Sequence, residues 1–129
     1  MLNILIVDDS TMARKRIIET LENLGIKHTV IAQVKDGHEG LNEFQKETPD
    51  LLITDLEMPN MNGMELIKEI RILDNSVHII VISSLINEEI RQTLKHDRFL
   101  DFIKKPINDK ILKTVLQKVE HHIKNEVHL

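Results

Sequence analysis

The chain has 129 residues, a length that suits one domain with a single buried core. Its net charge of −4 and its aromatic content of 2%, all of it Phe, give no reason to expect direct binding to nucleic acid or to a membrane. Because the chain contains no cysteine, disulfide bonds and thiolate metal sites are excluded. No apolar stretch approaches the ~20 residues of a membrane-spanning helix, and Met1 leads directly into an apolar run, without space for a signal peptide. We therefore expect a cytoplasmic, single-domain protein over residues 1–129.

Five short apolar runs alternate with helix-like segments along the chain. Short β-branched runs bounded by polar residues are typical of strands that are buried on both faces of a parallel sheet. The predicted strands are residues 2–7, 29–34, 51–54, 77–82 and 100–103. The predicted helices cover approximately residues 11–24, 38–46, 64–73, 87–95 and 109–124, and the fourth has the weakest apolar pattern. Ser10 or Thr11 is placed at the start of the first helix, Gly25 at its end, and Asp36 with Gly37 in a turn before the second.

Five βα units without a linker, repeat or low-complexity segment predict an α/β fold, a doubly wound five-stranded parallel sheet with five helices on its two faces. We expect the flavodoxin-like strand order 2-1-3-4-5, in which strands one and three are neighbours. Ligands of such open sheets bind outside the carboxyl ends of the strands. The residues that follow strands one and three are therefore the first candidates for a functional site.

Three aspartates stand at these two strand ends. Asp8 and Asp9 follow the first strand, and Asp55 follows the third. Three carboxylates in one crevice would repel one another without a cation, so the pattern predicts a bound divalent metal. Taken alone, Asp8 and Asp9 could instead cap the first helix.

Four motifs follow one another in chain order, each near the carboxyl end of a predicted strand. They are IVDDS at residues 6–10, TDLEMPNMNG at 54–63, VISS at 81–84 and KKP at 104–106. Together they resemble the receiver domain of two-component response regulators, most closely its stand-alone, CheY-like type, and the likeness covers essentially the whole chain. The family works in phosphorelay signal transduction, so the resemblance implies that the chain is a phosphoprotein switch.

The resemblance implies that Asp55 is the phosphoacceptor, which forms an aspartyl phosphate with a group from a sensor histidine kinase or a phosphotransfer protein. It also implies a Mg²⁺ ion bound by Asp9, Asp55 and the backbone carbonyl of Glu57, with Asp8 acting through a coordinated water. The chemistry is consistent with this, because Mg²⁺ takes oxygen ligands and keeps several waters. An anionic carboxylate can approach an anionic phosphoryl group only where such positive charge is supplied.

Three further residues receive roles from the same resemblance. Lys105 would pair with the phosphoryl oxygens, and the Ser83 hydroxyl would bind one of them and move as the switch. Phe102 would be the switch aromatic that turns inward, although an aromatic residue in a strand is more often only part of the core. Ser84 is interpreted as an ordinary hydroxyl at a helix entry.

The implied output is a change in affinity for a protein target, as in chemotaxis, on the surface formed by the fourth helix, the fifth strand and the last helix. A phosphorelay intermediate or phosphate sink, and a receiver fragment of a longer DNA-binding regulator, are alternatives. A magnesium-dependent aspartyl-phosphate phosphatase would need a second acid two residues after its nucleophile, which Glu57 supplies, and a cap domain, for which 129 residues leave no space. We expect no enzyme activity beyond self-catalysed phosphoryl acceptance and loss, and a monomer or weak dimer.

Several features differ from the usual pattern of the family or remain outside it. Leu85 and Glu57 occupy variable positions beside the path of the hydrolytic water, and we expect the apolar Leu85 to slow loss of the phosphoryl group. Residues 96–101 lack the small residues common there, which leaves the shape of this loop open. The paired His121 and His122 are interpreted as solvated, and residues 124–129 as a charged tail.

Overall fold

The computed structural model describes residues 1–127, so the last two residues of the predicted tail lie outside the described part. The strands are β1 Leu2–Val7, β2 His28–Val34, β3 Leu51–Thr54, β4 His78–Ser83 and β5 Leu100–Lys104. The helices are α1 Thr11–Asn23, α2 Gly37–Lys46, α3 Gly63–Leu73, α4 Glu88–Leu94 and α5 Asp109–Val127. The last helix therefore continues three residues beyond its predicted end. Within residues 1–127, each helix is too short or too polar to cross a lipid bilayer.

The five strands form one parallel sheet in the order β2-β1-β3-β4-β5, which confirms the predicted fold class. In the pairing of β1 with β3, Val7 lies opposite Thr54. The residue after each strand, Asp8 and Asp55, is thus brought to the same edge of the sheet. The Asp55 N–H donates to the Val7 carbonyl over 3.0 Å, which extends this pairing by one residue.

Alternate side chains of the strands enter two separate cores, one on each face of the sheet. On one face, Ile4 and Ile6 pack with apolar residues of α1 and α5. On the other face, Leu5 and Val7 pack with residues of α2 and α3. Because β1 is buried on both faces, every position is apolar except Asn3 near its start. The end of β1 that precedes Asp8 is therefore held by side-chain packing on both faces of the sheet.

The helix starts that frame this edge are set by side-chain caps. The Ser10 hydroxyl accepts an N–H in the first turn of α1, so Ser10 is the cap and Thr11 begins the helix. Asp36 caps α2, which begins at Gly37 and not after a separate turn as predicted. Asn62 and Glu65 form a reciprocal capping box at the start of α3.

The loop at residues 96–101, whose shape the sequence left open, is held by a partly buried ion pair. Arg71 on α3 donates two hydrogen bonds to the Asp97 carboxylate, at 2.7 and 3.0 Å, and one to the Val77 carbonyl, at 2.8 Å. The Phe99 ring packs against His122, with 4.8 Å between ring centres. His122 is therefore half-buried, and its interpretation as a solvated residue was wrong.

Candidate functional site

Asp55 lies at the carboxyl end of β3 with 7% of its surface exposed. Its Oδ2 accepts a hydrogen bond from the Nζ of Lys105 over 2.7 Å. Its Oδ1 accepts backbone N–H groups from Leu56 and, over 3.1 Å, from Glu57. Both carboxylate oxygens therefore have donors, and the side chain is held in one orientation.

Lys105 joins the ends of β1, β3 and β5. Its Nζ lies 3.0 Å from Oδ2 of Asp8 as well as 2.7 Å from Asp55. Its backbone N–H donates to the Ser83 carbonyl over 3.0 Å, and a cis peptide bond links it to Pro106. The ammonium group is thus placed between the two carboxylates by pairing of the strand ends.

The pKa values in this cluster differ in direction. Burial alone would raise the pKa of Asp55, but hydrogen bonds from Lys105 and Ser83 outweigh it, so the pKa is lowered. Burial would lower the pKa of Lys105, but its two carboxylate partners raise it. Burial dominates at Asp8, whose pKa is raised. The cluster therefore favours an ionised Asp55 beside a charged Lys105.

Ser83 ends β4 and is fully buried, with 0% of its surface exposed. Its hydroxyl oxygen accepts the Leu85 N–H over 3.1 Å and also contributes to the lowered pKa of Asp55. Ser84 is exposed, but it lies four residues before α4, which is capped by Asn87, so its interpretation as a helix-entry hydroxyl was wrong. The structure thus brings Ser83 to the same sheet edge as Asp55 and Lys105.

Of the three carboxylates expected to converge, Asp8 and Asp55 lie together, whereas Asp9 is exposed. Across residues 1–127, no three acidic or histidine side chains are arranged as they stand to hold a metal ion. The donor types still fit Mg²⁺, because Asp8 and Asp55 supply carboxylate oxygens beside the exposed Asp9. The Lys105 ammonium already lies between the two buried carboxylates, so these strand ends accommodate one positively charged group.

Phe102 lies in β5, half-buried against the core that faces α3 and α4. The guanidinium carbon of Arg91, on α4, lies 5.2 Å from the centre of the Phe102 ring. A cation over an aromatic face at this distance is attracted by the ring. Arg91 therefore connects α4, which has no buried residue, to Phe102, the residue to which the family resemblance gives a switch role.

Sequence reasoning missed residues that support the site without being part of its motifs. The Nη1 of Arg14 donates to the backbone carbonyl of Asp8 over 2.7 Å, from one turn inside α1. Asp36 accepts a hydrogen bond from Asn60, in the loop that follows Asp55. The contact of Arg14 is indicated in the sequence by a basic residue one turn after the helix cap. No local sequence pattern indicates the bond between Asp36 and Asn60.

Open parallel α/β sheets bind their ligands at the carboxyl ends of the strands, at the point where the strand order reverses. The cluster of carboxylates and lysine in this chain lies at that point. The family described as Response regulator receiver domain matches residues 4–117. The chain therefore belongs to the response regulator receiver domain family, the receiver component of two-component signalling.

Individual relatives are similar over most of this chain. The chemotaxis protein CheY of Bacillus subtilis (strain 168) is 31% identical over 113 residues, which cover 87% of this chain and 92% of that protein. A crystallised chemotaxis protein, CheY4 of Vibrio cholerae, superposes with a TM-score of 0.79 at 30% identity, over 92% of this chain and 98% of the other.

Longer proteins are similar as well. Protein-glutamate methylesterase/protein-glutamine glutaminase 1 of Oleidesulfovibrio alaskensis is 33% identical over an alignment of 130 positions, which covers 98% of this chain and 34% of that protein. The chain thus spans about a third of the length of this relative.

Proposed function

We propose that the chain is a phosphorylation-dependent switch in which Asp55 accepts a phosphoryl group from a sensor histidine kinase or a phosphotransfer protein. The observation that carries this proposal is the buried Asp55 carboxylate held 2.7 Å from the Lys105 ammonium at the carboxyl end of β3. Receiver domains interact with such kinases and with output targets, which supports the choice of donor.

In the proposed reaction, a carboxylate oxygen of Asp55 attacks the phosphorus atom of the donor. The new bond joins that oxygen to phosphorus, and the bond to the donor nitrogen breaks with its electron pair left on the imidazole. The lowered pKa of Asp55 keeps the carboxylate ionised and ready for this attack. Lys105 exchanges its bond to Asp55 for bonds to the phosphoryl oxygens, where the negative charge is largest.

Receiver domains generally use Mg²⁺ for phosphorylation, and we place the ion with Asp9, Asp55 and the Glu57 carbonyl, with Asp8 acting through a water. When bound, Mg²⁺ supplies positive charge that offsets the repulsion between carboxylate and phosphoryl group. Exposure of Asp9 and Glu57 leaves both residues accessible to an ion from solvent. Asp8, held by Lys105 and by the Ser10 N–H at 2.9 Å, orients the inner side of the site.

A phosphorylated Asp55 carries roughly −1.5 to −2 charges on its phosphoryl oxygens, and the Ser83 hydroxyl and Lys105 move inward toward them. Movement at Ser83 frees space beside Phe102, which turns toward the core and releases its contact with Arg91. The surface of α4, β5 and α5 then changes its affinity for a protein target, by a shift between two populated states.

We further propose that the receiver domain occupies residues 1–129. Similarity over nearly the full length of CheY supports a stand-alone switch. Similarity to a third of a methylesterase supports the alternative that the same domain controls a longer regulator.

The decisive experiment is incubation with acetyl phosphate and Mg²⁺, followed by intact-mass measurement of the wild type and of Asp55→Asn. We expect one phosphate adduct on the wild type, dependent on Mg²⁺, and none on the variant. An adduct that persists in Asp55→Asn would move the acceptor to another residue. A wild type without any adduct would refute the phosphoacceptor function.

A further inference from the structure

The loop that follows Asp55, residues 56–62, is closed at its base by backbone contacts. The Gly63 N–H donates to the Leu56 carbonyl over 3.0 Å. A Cβ at Gly63 would overlap the carbonyl oxygen of Asp55, so this closure admits no side chain at that position. The two ends of the acceptor loop are therefore fixed to each other beside the site.

The outer part of the same loop is held by its neighbour, the loop between β2 and α2. The Nδ2 of Asn60 donates to Oδ2 of Asp36 over 2.9 Å. The Gly37 N–H donates to the Met61 carbonyl, also over 2.9 Å. A Cβ at Gly37 would overlap both the Met61 carbonyl and its Cβ, so the loops are in direct backbone contact. We call these two hydrogen bonds the loop clamp.

Capping of α2 does not explain the whole geometry of Asp36. Its Oδ1 accepts the Glu39 N–H over 2.9 Å, which satisfies the cap, and Oδ2 remains for Asn60. Asp36 is only 4% exposed. The Glu39 N–H and the Asn60 amide lower its pKa, so the bond to Asn60 has an ionised acceptor and gains strength from that charge. The Asn60 backbone has φ of 65°, a left-handed conformation that asparagine tolerates.

We propose that Asp36 and Asn60 are positioning residues that set the rate at which Asp55 gains its phosphoryl group, an inference that rests on the function proposed above. Glu57 connects them to the chemistry, because it lies in the clamped loop. Its N–H donates to Oδ1 of Asp55 over 3.1 Å, and its carbonyl belongs to the proposed metal ligands. A loop released at Asn60 shifts both groups, although the clamp itself touches no reacting atom.

Two substitutions remove the side-chain part of the clamp with little other change. Asn60→Gly deletes the amide and keeps the left-handed backbone, since glycine adopts positive φ without strain. Asp36→Ser keeps a helix cap but is too short to hold Asn60. Asn75→Gly, at an exposed loop position between α3 and β4, is the matched control for the loss of an asparagine.

The test measures the initial rate of adduct formation with acetyl phosphate by intact mass, at several Mg²⁺ concentrations and well below each melting temperature. We expect Asn60→Gly and Asp36→Ser each to slow the reaction about three- to tenfold and to raise the Mg²⁺ concentration for half-maximal rate. The double variant should be no slower than the slower single one, because both remove the same bond. Asn75→Gly should react like the wild type.

A merely structural role would lower the melting temperature while leaving these rates and the Mg²⁺ dependence unchanged. Single-variant rates within about twofold of the wild type, or effects that multiply in the double variant, would overturn the positioning role alone. A wild type that forms no adduct would instead refute the phosphoacceptor function, and this inference with it.

Discussion

The Lys105 ammonium lies 2.7 Å from Asp55 and 3.0 Å from Asp8, and the pKa values of these two carboxyls shift in opposite directions. One cation cannot neutralise two buried carboxylates, so the closer partner is kept ionised while burial disfavours the charge on the other. The site thus suits the nucleophilic role proposed for Asp55 and does not suit the same role for Asp8.

Replacing Lys105 by methionine should raise the pKa of Asp55, because burial would then act without its main opposing bond. It should also slow adduct formation from acetyl phosphate about tenfold or more, since charge on the phosphoryl oxygens is no longer offset. Carboxyl NMR titration and intact-mass kinetics check the two effects. Lys104→Met, at the exposed neighbouring position, is the control. Equal behaviour of the two variants would contradict the assigned role of Lys105.

Asp8→Asn should stabilise the metal-free protein at neutral pH. A carboxyl whose pKa is raised in the folded state costs stability as the pH rises above its unfolded value, here 3.8, and the cost is complete above the folded pKa. We expect a gain of about 1 kcal/mol, or about 3–5 °C in Tm, at pH 7 in the presence of a chelator. The gain should disappear below the ordinary pKa of 3.8. Thermal unfolding across this pH range measures the effect, with Asp9→Asn as the exposed control. A Tm of Asp8→Asn below that of the wild type at pH 7 would contradict the predicted gain in stability.

Arg71→Lys should destabilise the fold by roughly 2–3 kcal/mol, although it conserves the charge. Lysine cannot make the paired bonds to Asp97 and also reach the Val77 carbonyl, so buried acceptors lose their donors. Urea unfolding measures the loss. Arg98→Lys, at an exposed position in the adjoining loop, should change stability by less than about 0.5 kcal/mol. Similar losses in both variants would show that the pair of Arg71 and Asp97 has no special contribution.

Leu85→Ala should shorten the lifetime of the phosphorylated protein about threefold, a change of less than 1 kcal/mol in the barrier to hydrolysis. Leu85 is 44% exposed and its N–H donates to the Ser83 hydroxyl oxygen, so its apolar side chain lies next to a residue proposed to hold the phosphoryl group and can hinder water there. Decay of the adduct after removal of acetyl phosphate gives the lifetime. Leu73→Ala, 52% exposed at the end of α3, removes the same side chain away from the site. An unchanged lifetime in Leu85→Ala would refute the shielding role.

The fold was predictable because its signals are local and strong. The strands of the sheet centre are apolar on both faces, and each predicted boundary lies within a few residues of the observed one. The meeting of Asp8 and Asp55 followed once the strand order was assumed, because each directly follows one of two neighbouring strands, whereas Lys105 entered the expected site only through the family resemblance. The side-chain bonds from Lys105 to both carboxylates were not predictable, since they depend on a side-chain conformation that no spacing specifies.

Other features depended on contacts that are distant in sequence. Asp36 and Asn60 are 24 residues apart in the sequence. Their hydrogen bond also depends on the left-handed backbone of Asn60, which no sequence pattern indicates. His122 packs against Phe99 only because residues 96–101 bring that ring to α5.

The backbone bond from Lys105 to the Ser83 carbonyl has a consequence for how a signal would spread. This bond, and the pairing of Ser83 with Lys104, fasten the ends of β4 and β5 to each other. A movement of the Ser83 backbone would therefore be passed to the backbone of Lys105 and to the strand that carries Phe102. Detection and output would then be the same motion, because the residues proposed to hold the phosphoryl group terminate the strands next to the proposed target-binding surface.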